Sequence, residues 1–212
     1  MKLLDLFAGR LGWSKAFLER GWSVVAIDLT LPSIPIPEGV DYRLVDVLTL
    51  SPEWIKREGF DFICASSPCE QFSVHGMKHF HPNPPYPELG IKLFNHTRML
   101  CESAGVPYVM ENVRAAQAFV GTAVHHCGPF YLWGTGVPPL MNQGIRKGLD
   151  VGSPKAVKNM NKEEKRLYRL QFPYNSCFSW SDRRRTITAK VATIPPELSA
   201  CVAYYAERII EQ

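Results

Sequence analysis

The sequence lacks the features of a membrane-spanning or exported chain. None of its apolar runs approaches the roughly 20 consecutive residues that a transmembrane helix needs. The opening segment, Met1–Asp5, brings in an acidic side chain too early for a signal peptide. We therefore expect a soluble protein that stays in the cytoplasm and has no membrane partner.

Paired cysteines are also missing. The six cysteines stand singly, without a Cys-x-x-Cys motif, at Cys64, Cys69, Cys101, Cys127, Cys177 and Cys201. This distribution argues against a disulfide framework and a cysteine-rich zinc site. Histidines form two groups, one made of His75, His79 and His81 and the other of His125 and His126 with Cys127, but the first lies in a proline-rich loop without a regular helical spacing, and no cysteine pair supports either group. We predict no metal site, and we expect most thiols to be buried and at least one to be reactive.

The sequence has too few charges for a disordered chain. Charged residues make up 21% of it and hydrophobic residues 46%, a balance typical of a globular protein. Its 212 residues favour one domain of catalytic size over two full domains.

Positive charge is concentrated in one part of the chain. Residues 143–190 hold twelve Lys and Arg against four Asp and Glu, a net charge of +8, whereas the remaining residues carry −4. Clustered Lys and Arg are typical of phosphate binding because counterion release rewards them. A solvated charged face gives the same pattern. Both interpretations stay open at this point.

Short apolar runs alternate with helical patterns in the first half of the chain, which is typical of an α/β fold. The predicted strands are Leu3–Ala8, Ser23–Ile27, Tyr42–Val45, Phe60–Ala65 and Pro107–Glu111. The predicted helices are Ser14–Arg20 with Ser14 as its cap, 52–58 between Ser51 and Gly59, 87–103 ended by Gly105, 163–170, and Pro196–Ile210. Residues 67–87 are predicted to form a long loop, and residues 125–181 an irregular insertion.

These patterns predict an α/β fold with a doubly wound, mostly parallel, Rossmann-like sheet and a small basic irregular segment. We expect a catalytic, cofactor-binding core at 1–124 and a basic recognition segment at 125–190. A C-terminal helix, at 191–212, is expected to return to the core.

Unusual residues follow the predicted strands at their C-terminal ends, where open α/β sheets bind ligands. They are Gly9, Asp28, Asp46, Pro68-Cys69 and Glu111-Asn112. Each has a purely structural explanation when taken singly, such as a turn glycine, a helix cap or a packed thiol. Their occurrence together at one edge predicts a ligand site.

The bend after the first strand and the two aspartates predict an adenosine pocket. The bend, residues 7–13, lacks the third glycine of the dinucleotide fingerprint, so NAD is a poor fit. Asp28 lies 19 residues after Gly9, where a carboxylate accepts hydrogen bonds from both hydroxyls of a ribose. Asp46 would then accept a hydrogen bond from the adenine amino group.

Taken in order, these motifs resemble the DNA (cytosine-5)-methyltransferase family. The matching stretches are Asp5–Gly9, Asp28, Asp46-Val47, Pro68–Ser73 and Glu111–Val113. The most specific are the Pro-Cys stretch, with Phe-Ser three and four residues after Cys69, and the Glu-Asn-Val stretch that begins 42 residues after Cys69. The resemblance covers residues 1–114 and returns at Ile194–Leu198, before the last helix.

The resemblance implies a methyltransferase fold and transfer of a methyl group from S-adenosylmethionine to carbon-5 of cytosine in DNA. Cys69 would add to carbon-6 of the ring, because a thiolate both attacks and leaves readily, and Glu111 would hold ring N3. A base inside a duplex cannot reach such a pocket, so the partner would be DNA with a flipped base or single-stranded DNA. The implied catalytic residues are Cys69, Glu111, Pro68 and Asn112. The implied cofactor-binding residues are Phe7, Gly9, Gly12, Trp13, Asp28, Leu29, Asp46 and Val47.

The chain departs from the family pattern in three places. Leu11 stands where a glycine is usual, Val191-Ala192 where Gly-Asn is usual, and residues 128–134 hold no Gln-x-Arg-x-Arg motif. The arginine of that motif steadies the flipped cytosine in the family. The candidates to replace it are Arg114 or one of Arg183, Arg184 and Arg185, and Ser73 is a further candidate for contact with the substrate.

Two alternative functions remain open. The missing arginine motif and the short recognition segment also suit an enzyme that modifies cytosine in RNA or in a free nucleotide. A catalytically silent nucleic-acid-binding module would keep the same fold, although the presence of Cys69 and Glu111 argues against it. The sequence leaves the target sequence, the oligomeric state and any paired restriction enzyme undetermined.

Overall fold

A computed structural model describes residues 1–73, 87–139, 161–171 and 192–211. The chain divides into two compact units. One comprises Met1–Arg146 and Ile194–Gln212 and contains a β-sheet with its covering helices. The other, Lys147–Thr193, contains the helix Lys162–Gln171 among its described residues.

The first unit is built on a single seven-stranded sheet. Its strands are β1 (Lys2–Leu6), β2 (Ser23–Asp28), β3 (Val40–Leu44), β4 (Phe62–Ser66), β5 (Tyr108–Asn112), β6 (His125–Cys127) and β7 (Phe130–Trp133). Their order is β3-β2-β1-β4-β5-β7-β6, and the first five are parallel. β7 runs antiparallel to both β5 and β6. The predicted α/β, mostly parallel, Rossmann-like fold is confirmed.

Helices of the first unit cover both faces of the sheet. They are α1 (Ser14–Glu19), α2 (Pro52–Glu58), α3 (Glu88–Ala104), α4 (Gln117–Val120) and α6 (Pro196–Ile210). Among its described residues the second unit contains α5 (Lys162–Gln171). One core joins Leu3 of β1 to Phe17 of α1 and Val202 of α6. The other joins Leu4 of β1 to Leu100 of α3. Successive strand residues face opposite sides, so burial of both faces makes the inner parallel strands, β1, β2, β4 and β5, mostly apolar, whereas the edge strand β3 includes Asp41 and Arg43.

Helix ends follow the capping residues of the sequence. α2 begins after Ser51, whose hydroxyl oxygen accepts a hydrogen bond from a first-turn N–H, and ends at Gly59 with φ of 68°. α3 ends at Gly105, also left-handed, with φ of 72°. The predicted ends of these helices and the predicted helix Pro196–Ile210 are confirmed.

The prediction that Ser14 caps α1 is wrong. The N-cap residue is Trp13, and Ser14 is the first residue of the helix. The Ser14 hydroxyl and N–H both donate to Oδ2 of Asp5, at 2.5 and 3.2 Å. A buried carboxylate from β1 therefore accepts the N–H that a capping side chain would otherwise accept.

Residues 125–133 form the last two strands of the sheet, whereas the sequence analysis placed them in an irregular segment. β6 and β7 have three and four residues, too few to display the alternation that marks a longer strand. The compact unit that contains the sheet runs to Arg146, and the expected division at residue 125 between a catalytic core and a recognition segment stays a prediction. Recognition by the basic residues beyond it remains a prediction.

No helix in the described parts of the chain is long and apolar enough to cross a membrane. Most of the predicted loop at 67–87 lies outside the described residues, which stop at residue 73 and resume at residue 87.

Candidate functional site

The carboxyl ends of the parallel strands bring the predicted site residues to one edge of the sheet. Phe7–Gly9 follow β1, Asp28 ends β2, and Cys69 lies three residues beyond the end of β4. Glu111 of β5 pairs in register with Ser66, the last residue of β4. This edge is where open α/β sheets bind ligands.

The bend after β1 has a strained backbone. Phe7 and Leu11 both adopt left-handed conformations, each with φ of 59°, and Gly9 between them has φ of 47°. A left-handed conformation at a residue other than glycine costs roughly 1–3 kcal/mol and persists only where the surroundings impose it. The Leu11 N–H donates to the carbonyl of Ala8 at 2.7 Å, which closes the bend. Such strain is concentrated at ligand sites.

Asp28 joins the ends of β1 and β2. Its Oδ2 accepts a hydrogen bond from the Gly9 N–H at 3.0 Å, and its Oδ1 accepts from the N–H and hydroxyl of Thr30 at 3.1 and 3.3 Å. The residue is half-buried, and each carboxylate oxygen has two lone pairs, so Oδ2 retains acceptor capacity for a hydroxyl group. Leu29, beside it, is 69% exposed and adds an apolar surface to the same edge.

Asp46 opens a short 3-10 turn, Val47–Thr49, at the end of β3. Its Oδ1 accepts a hydrogen bond from the Leu48 N–H at 2.9 Å. Val47 is buried, and its carbonyl oxygen lies 3.0 Å from Nε2 of His96 on α3. The turn that carries Asp46, the second candidate aspartate of the cofactor site, therefore contacts α3 through His96.

Gly12 and Trp13 attach the bend to the core. A Cβ atom on Gly12 would lie 2.8 Å from the backbone nitrogen of Ile194, so only glycine fits there without a shift. Trp13 is 2% exposed, its indole N–H donates to Oγ of Ser66 at 2.9 Å, and its carbonyl accepts from the Ser199 hydroxyl at 2.8 Å. The structure thus places the Trp13 side chain in the core and links the bend to the end of β4.

Cys69 begins a tight turn that follows Pro68. Its carbonyl oxygen accepts hydrogen bonds from the N–H groups of Phe72 and Ser73, at 3.1 and 3.0 Å, and from the Ser73 hydroxyl at 2.9 Å. Cys69 itself is half-buried, and Pro68 is exposed. Ser73, a candidate substrate residue, thus serves to close the turn that carries Cys69.

Asn112 connects β5 to the segment that leads into this turn. Its side-chain amide donates to the carbonyl and the hydroxyl of Ser67, both at 3.0 Å, and its Oδ1 accepts from the Val113 N–H at 2.8 Å. Asn112 is fully buried. Both ends of the amide therefore bind protein groups, which makes Asn112 a positioning residue for Pro68 and Cys69.

Asp5 is a polar feature of the site region to which the sequence analysis gave no role. It is fully buried on β1, and within the described residues its Oδ1 has no hydrogen-bond partner. Burial raises its pKa from the usual 3.8 to about 7. The sequence does carry a signal of this burial, because Asp5 stands between two leucines in a predicted buried strand.

Of the four arginines that are candidates for substrate contact, the structure describes Arg114. Arg114 is exposed beyond the end of β5. Arg183, Arg184 and Arg185 lie outside the described residues, as do His75, His79, His81 and Val191. Among the residues that the structure does describe, no group of three His, Cys, Asp or Glu side chains is arranged to hold a metal ion.

No protein-family model and no curated protein matches the chain. Among solved structures, a mutant of DNMT2 from Spodoptera frugiperda is 23% identical over 55% of this chain and 37% of its own, with a TM-score of 0.38. The oxidoreductase ylbE from Lactococcus lactis is 18% identical over 53% of this chain and 48% of its own, with a TM-score of 0.33. The matched region spans less than half the length of either protein. Similarity at this level assigns no activity to the chain.

Proposed function

We propose that this chain is a methyltransferase that transfers a methyl group from S-adenosylmethionine to carbon-5 of cytosine in DNA. The observation that carries the proposal is the direct linkage of the Cys69 segment to the Glu111 strand. Ser66 and Glu111 are register partners, and Asn112 holds Ser67 by two hydrogen bonds. A nucleophile and a carboxyl group are thereby fixed on adjacent strand ends.

The opposite half of the same edge fits the adenosine part of the cofactor. Asp28 retains acceptor capacity for ribose hydroxyls, Asp46 offers a second carboxylate, and the exposed Leu29 offers an apolar surface for a base. S-adenosylmethionine would supply the methyl group. The residues expected to hold it are Phe7, Gly9, Gly12, Trp13, Asp28, Leu29, Asp46 and Val47, with Gly12 and Trp13 acting through the shape of the bend.

Two features favour a nucleoside ligand over NAD. The bend lacks the third glycine of the dinucleotide fingerprint. In the usual dinucleotide-binding sheet, with strand order 3-2-1-4-5-6, a parallel sixth strand lies beside the fifth. Here the antiparallel β7 takes that position, so the second nucleotide-binding half of such a sheet is altered.

Cys69 is the best-placed nucleophile among the described cysteines. Burial raises the pKa of the Cys64 and Cys101 thiols well above the usual range, which keeps them protonated and unreactive. Cys127 is buried in the core, whereas Cys69 is half-buried at the ligand edge. Cys201 is also half-buried, but it lies on α6.

The proposed reaction uses the two groups in sequence. The Cys69 thiolate adds to carbon-6 of cytosine while Glu111 shares a proton with ring N3, so that the ring becomes an enamine with a nucleophilic carbon-5. Carbon-5 would then take the methyl group of S-adenosylmethionine, whose sulfonium–methyl bond would break to leave S-adenosylhomocysteine. Loss of the carbon-5 proton to a base returns an electron pair to the ring and releases Cys69 as the thiolate. A thiolate suits both steps because it attacks and departs readily.

The proposal is tested by trapping the covalent intermediate. DNA containing 5-fluorocytosine blocks the final elimination, so the parent protein with S-adenosylmethionine should remain attached to it on a denaturing gel. Cys69→Ser should abolish the attachment, and Cys201→Ser should retain it as the matched control. Absence of an adduct with the parent, or an adduct that survives in Cys69→Ser, contradicts the proposal.

Because the Gln-x-Arg-x-Arg motif is missing, RNA or a free nucleotide is a second candidate substrate. RNA or a free cytosine nucleotide would use the same Cys69 chemistry without a duplex to open. The same trapping assay distinguishes the classes when duplex DNA, single-stranded DNA, RNA and a free deoxycytidine nucleotide are compared. DNA should give the fastest adduct.

A further inference from the structure

The turn that carries Cys69 is fixed to the first turn of α3 by two consecutive side chains. The Oε1 atom of Gln71 accepts a hydrogen bond from the Gly90 N–H at 2.7 Å, across 19 residues of sequence. The first N–H groups of a helix have no partner within the helix. The N-cap residue of α3 is Pro87, which has no side-chain acceptor, so Gln71 caps the helix from the Cys69 turn.

Phe72 provides the second attachment. Its side chain is fully buried, and a Cβ atom placed on Gly90 would lie 3.0 Å from two atoms of its ring. Glycine at position 90 thus allows the ring to pack directly on the helix backbone. Gln71 and Phe72 together hold the turn at one residue of α3.

α3 is itself packed into the core. Phe94 and Leu100 on this helix are fully buried in the core. The same helix also contacts the Asp46 turn through His96 and the Val47 carbonyl. A turn fixed to such an element keeps a more constant geometry than a turn on a free loop.

We propose that Gln71 is a positioning residue that sets the place of the Cys69 sulfur relative to Glu111 by holding the Cys69 turn on α3. The inference rests on the proposed function of Cys69 as a nucleophile. Gln71 acts through the backbone of residues 69–73 and touches no reacting atom.

The test compares a variant that loses the acceptor with one that keeps it. Gln71→Met preserves length and loses the acceptor, whereas Gln71→Glu preserves an acceptor oxygen. Asp61→Ala is the matched control, because Oδ2 of Asp61 also accepts a backbone N–H at 2.7 Å, that of Lys2, at the opposite edge of the sheet. Each protein is assayed for the rate of adduct formation with 5-fluorocytosine DNA and for the rate of Cys69 alkylation by iodoacetamide without DNA.

Gln71→Met should slow adduct formation by about tenfold or more, since a displacement near 1 Å costs this much or more, with KM for S-adenosylmethionine unchanged. Release of the turn should at the same time expose Cys69 and speed its alkylation by about threefold or more. Gln71→Glu should recover most of the adduct rate, and Asp61→Ala should match the parent in both assays. A loss of overall stability alone would not separate Gln71→Met from Asp61→Ala in this way.

The possible failures are distinguishable. If the parent forms no adduct, the proposed function fails, and the alkylation rates alone decide whether Gln71 holds the turn. If the parent forms the adduct and Gln71→Met forms it equally fast, the positioning role is overturned while the proposed function stands. Should Gln71→Met fail to fold, Gln71→Asn replaces it, because the shorter side chain stays polar but withdraws the acceptor oxygen from the Gly90 N–H. A parent-like adduct rate in Gln71→Asn would then overturn the inference.

Discussion

At the scale of single residues, Asp5 is the most unusual group in the sheet. Its one hydrogen-bonded oxygen accepts from Ser14 on α1, while Asp28 on β2 adds a like charge and Cys64 on β4 lies beside it in register. Tyr42 on β3 is also within electrostatic reach, and burial raises the pKa of its phenol. Because burial also raises the pKa of Asp5 to about 7, its carboxyl group remains protonated in mildly acidic solution.

This pKa predicts a pH dependence of stability. As the pH rises from 3.8 to about 7, the unfolded chain releases the Asp5 proton while the folded chain keeps it, so the free energy of unfolding falls over this range. Asp5→Asn has no proton to release and should remove this part of the slope. Urea unfolding of both proteins at pH 5 and pH 7.5 measures the difference. Parallel changes in the two proteins would show that Asp5 does not titrate in this way.

Asn112 should contribute to stability through its buried amide. Asn112→Ala leaves the carbonyl of the buried Ser67 and the N–H of the half-buried Val113 without their partner, at about 1–3 kcal/mol for each group. The free energy of unfolding should therefore fall by about 2–6 kcal/mol in urea titrations. Asn95→Ala, on the exposed side of α3, is the control and should stay within about 0.5 kcal/mol of the parent. An equal effect of both substitutions contradicts the positioning role of Asn112.

At the scale of elements, the sequence predicts most helix and strand ends to within a few residues. Serine, proline and glycine at the ends of α2 and glycine after α3 act locally, so the sequence alone reveals their effect. The cap of α1 could not be predicted, because its acceptor is Asp5, on another element. β6 and β7 escaped prediction because three or four residues carry too little periodicity and gain their order from pairing with β5.

The contact between the bend and α6 gives a prediction at this scale. In Gly12→Ala the new Cβ would meet the Ile194 backbone at 2.8 Å, and a backbone atom cannot rotate away as a side chain does. Crowding of this kind costs about 1–3 kcal/mol and should displace the start of α6 from the bend. Urea unfolding should show the loss, and calorimetric titration should show weaker binding of S-adenosylmethionine. Lys15→Ala, exposed on α1, is the control, and parent-like behaviour of Gly12→Ala would mean that the bend tolerates the shift.

At the scale of the whole molecule, topology determined what could be predicted of the site. Parallel strands place their carboxyl ends at one edge, so the strand ends named from the sequence do lie there. Which side chains turn inward depends on packing between distant elements. Trp13 and Asn112 are buried for this reason, whereas Asp28 is half-buried and Leu29 is exposed, and the sequence could not predict this difference.

Charge and compactness divide the chain at nearly the same place. The second unit, Lys147–Thr193, holds eleven Lys and Arg against four Asp and Glu, a net charge of +7, and leaves −3 for the sheet unit. A chain that combines a positive unit with a slightly acidic sheet unit suits the binding of a polyanion. For the proposed reaction, the charge distribution therefore favours a nucleic acid over a free nucleotide as the substrate.

Salt dependence tests this interpretation on the intact protein. Each phosphate contact on duplex DNA contributes a slope of about −0.9 to the plot of log affinity against log salt, and a free nucleotide has too few phosphates for a steep slope. Reversal of Arg183, Arg184 and Arg185 to Glu should weaken binding to every DNA sequence and flatten the slope, with unchanged affinity for S-adenosylmethionine. Reversal of Lys56, Arg57 and Arg208, exposed on α2 and α6, changes the net charge equally and should have the smaller effect. Equal effects of the two reversals, or a free nucleotide as the best substrate, would make the basic unit a solvated face.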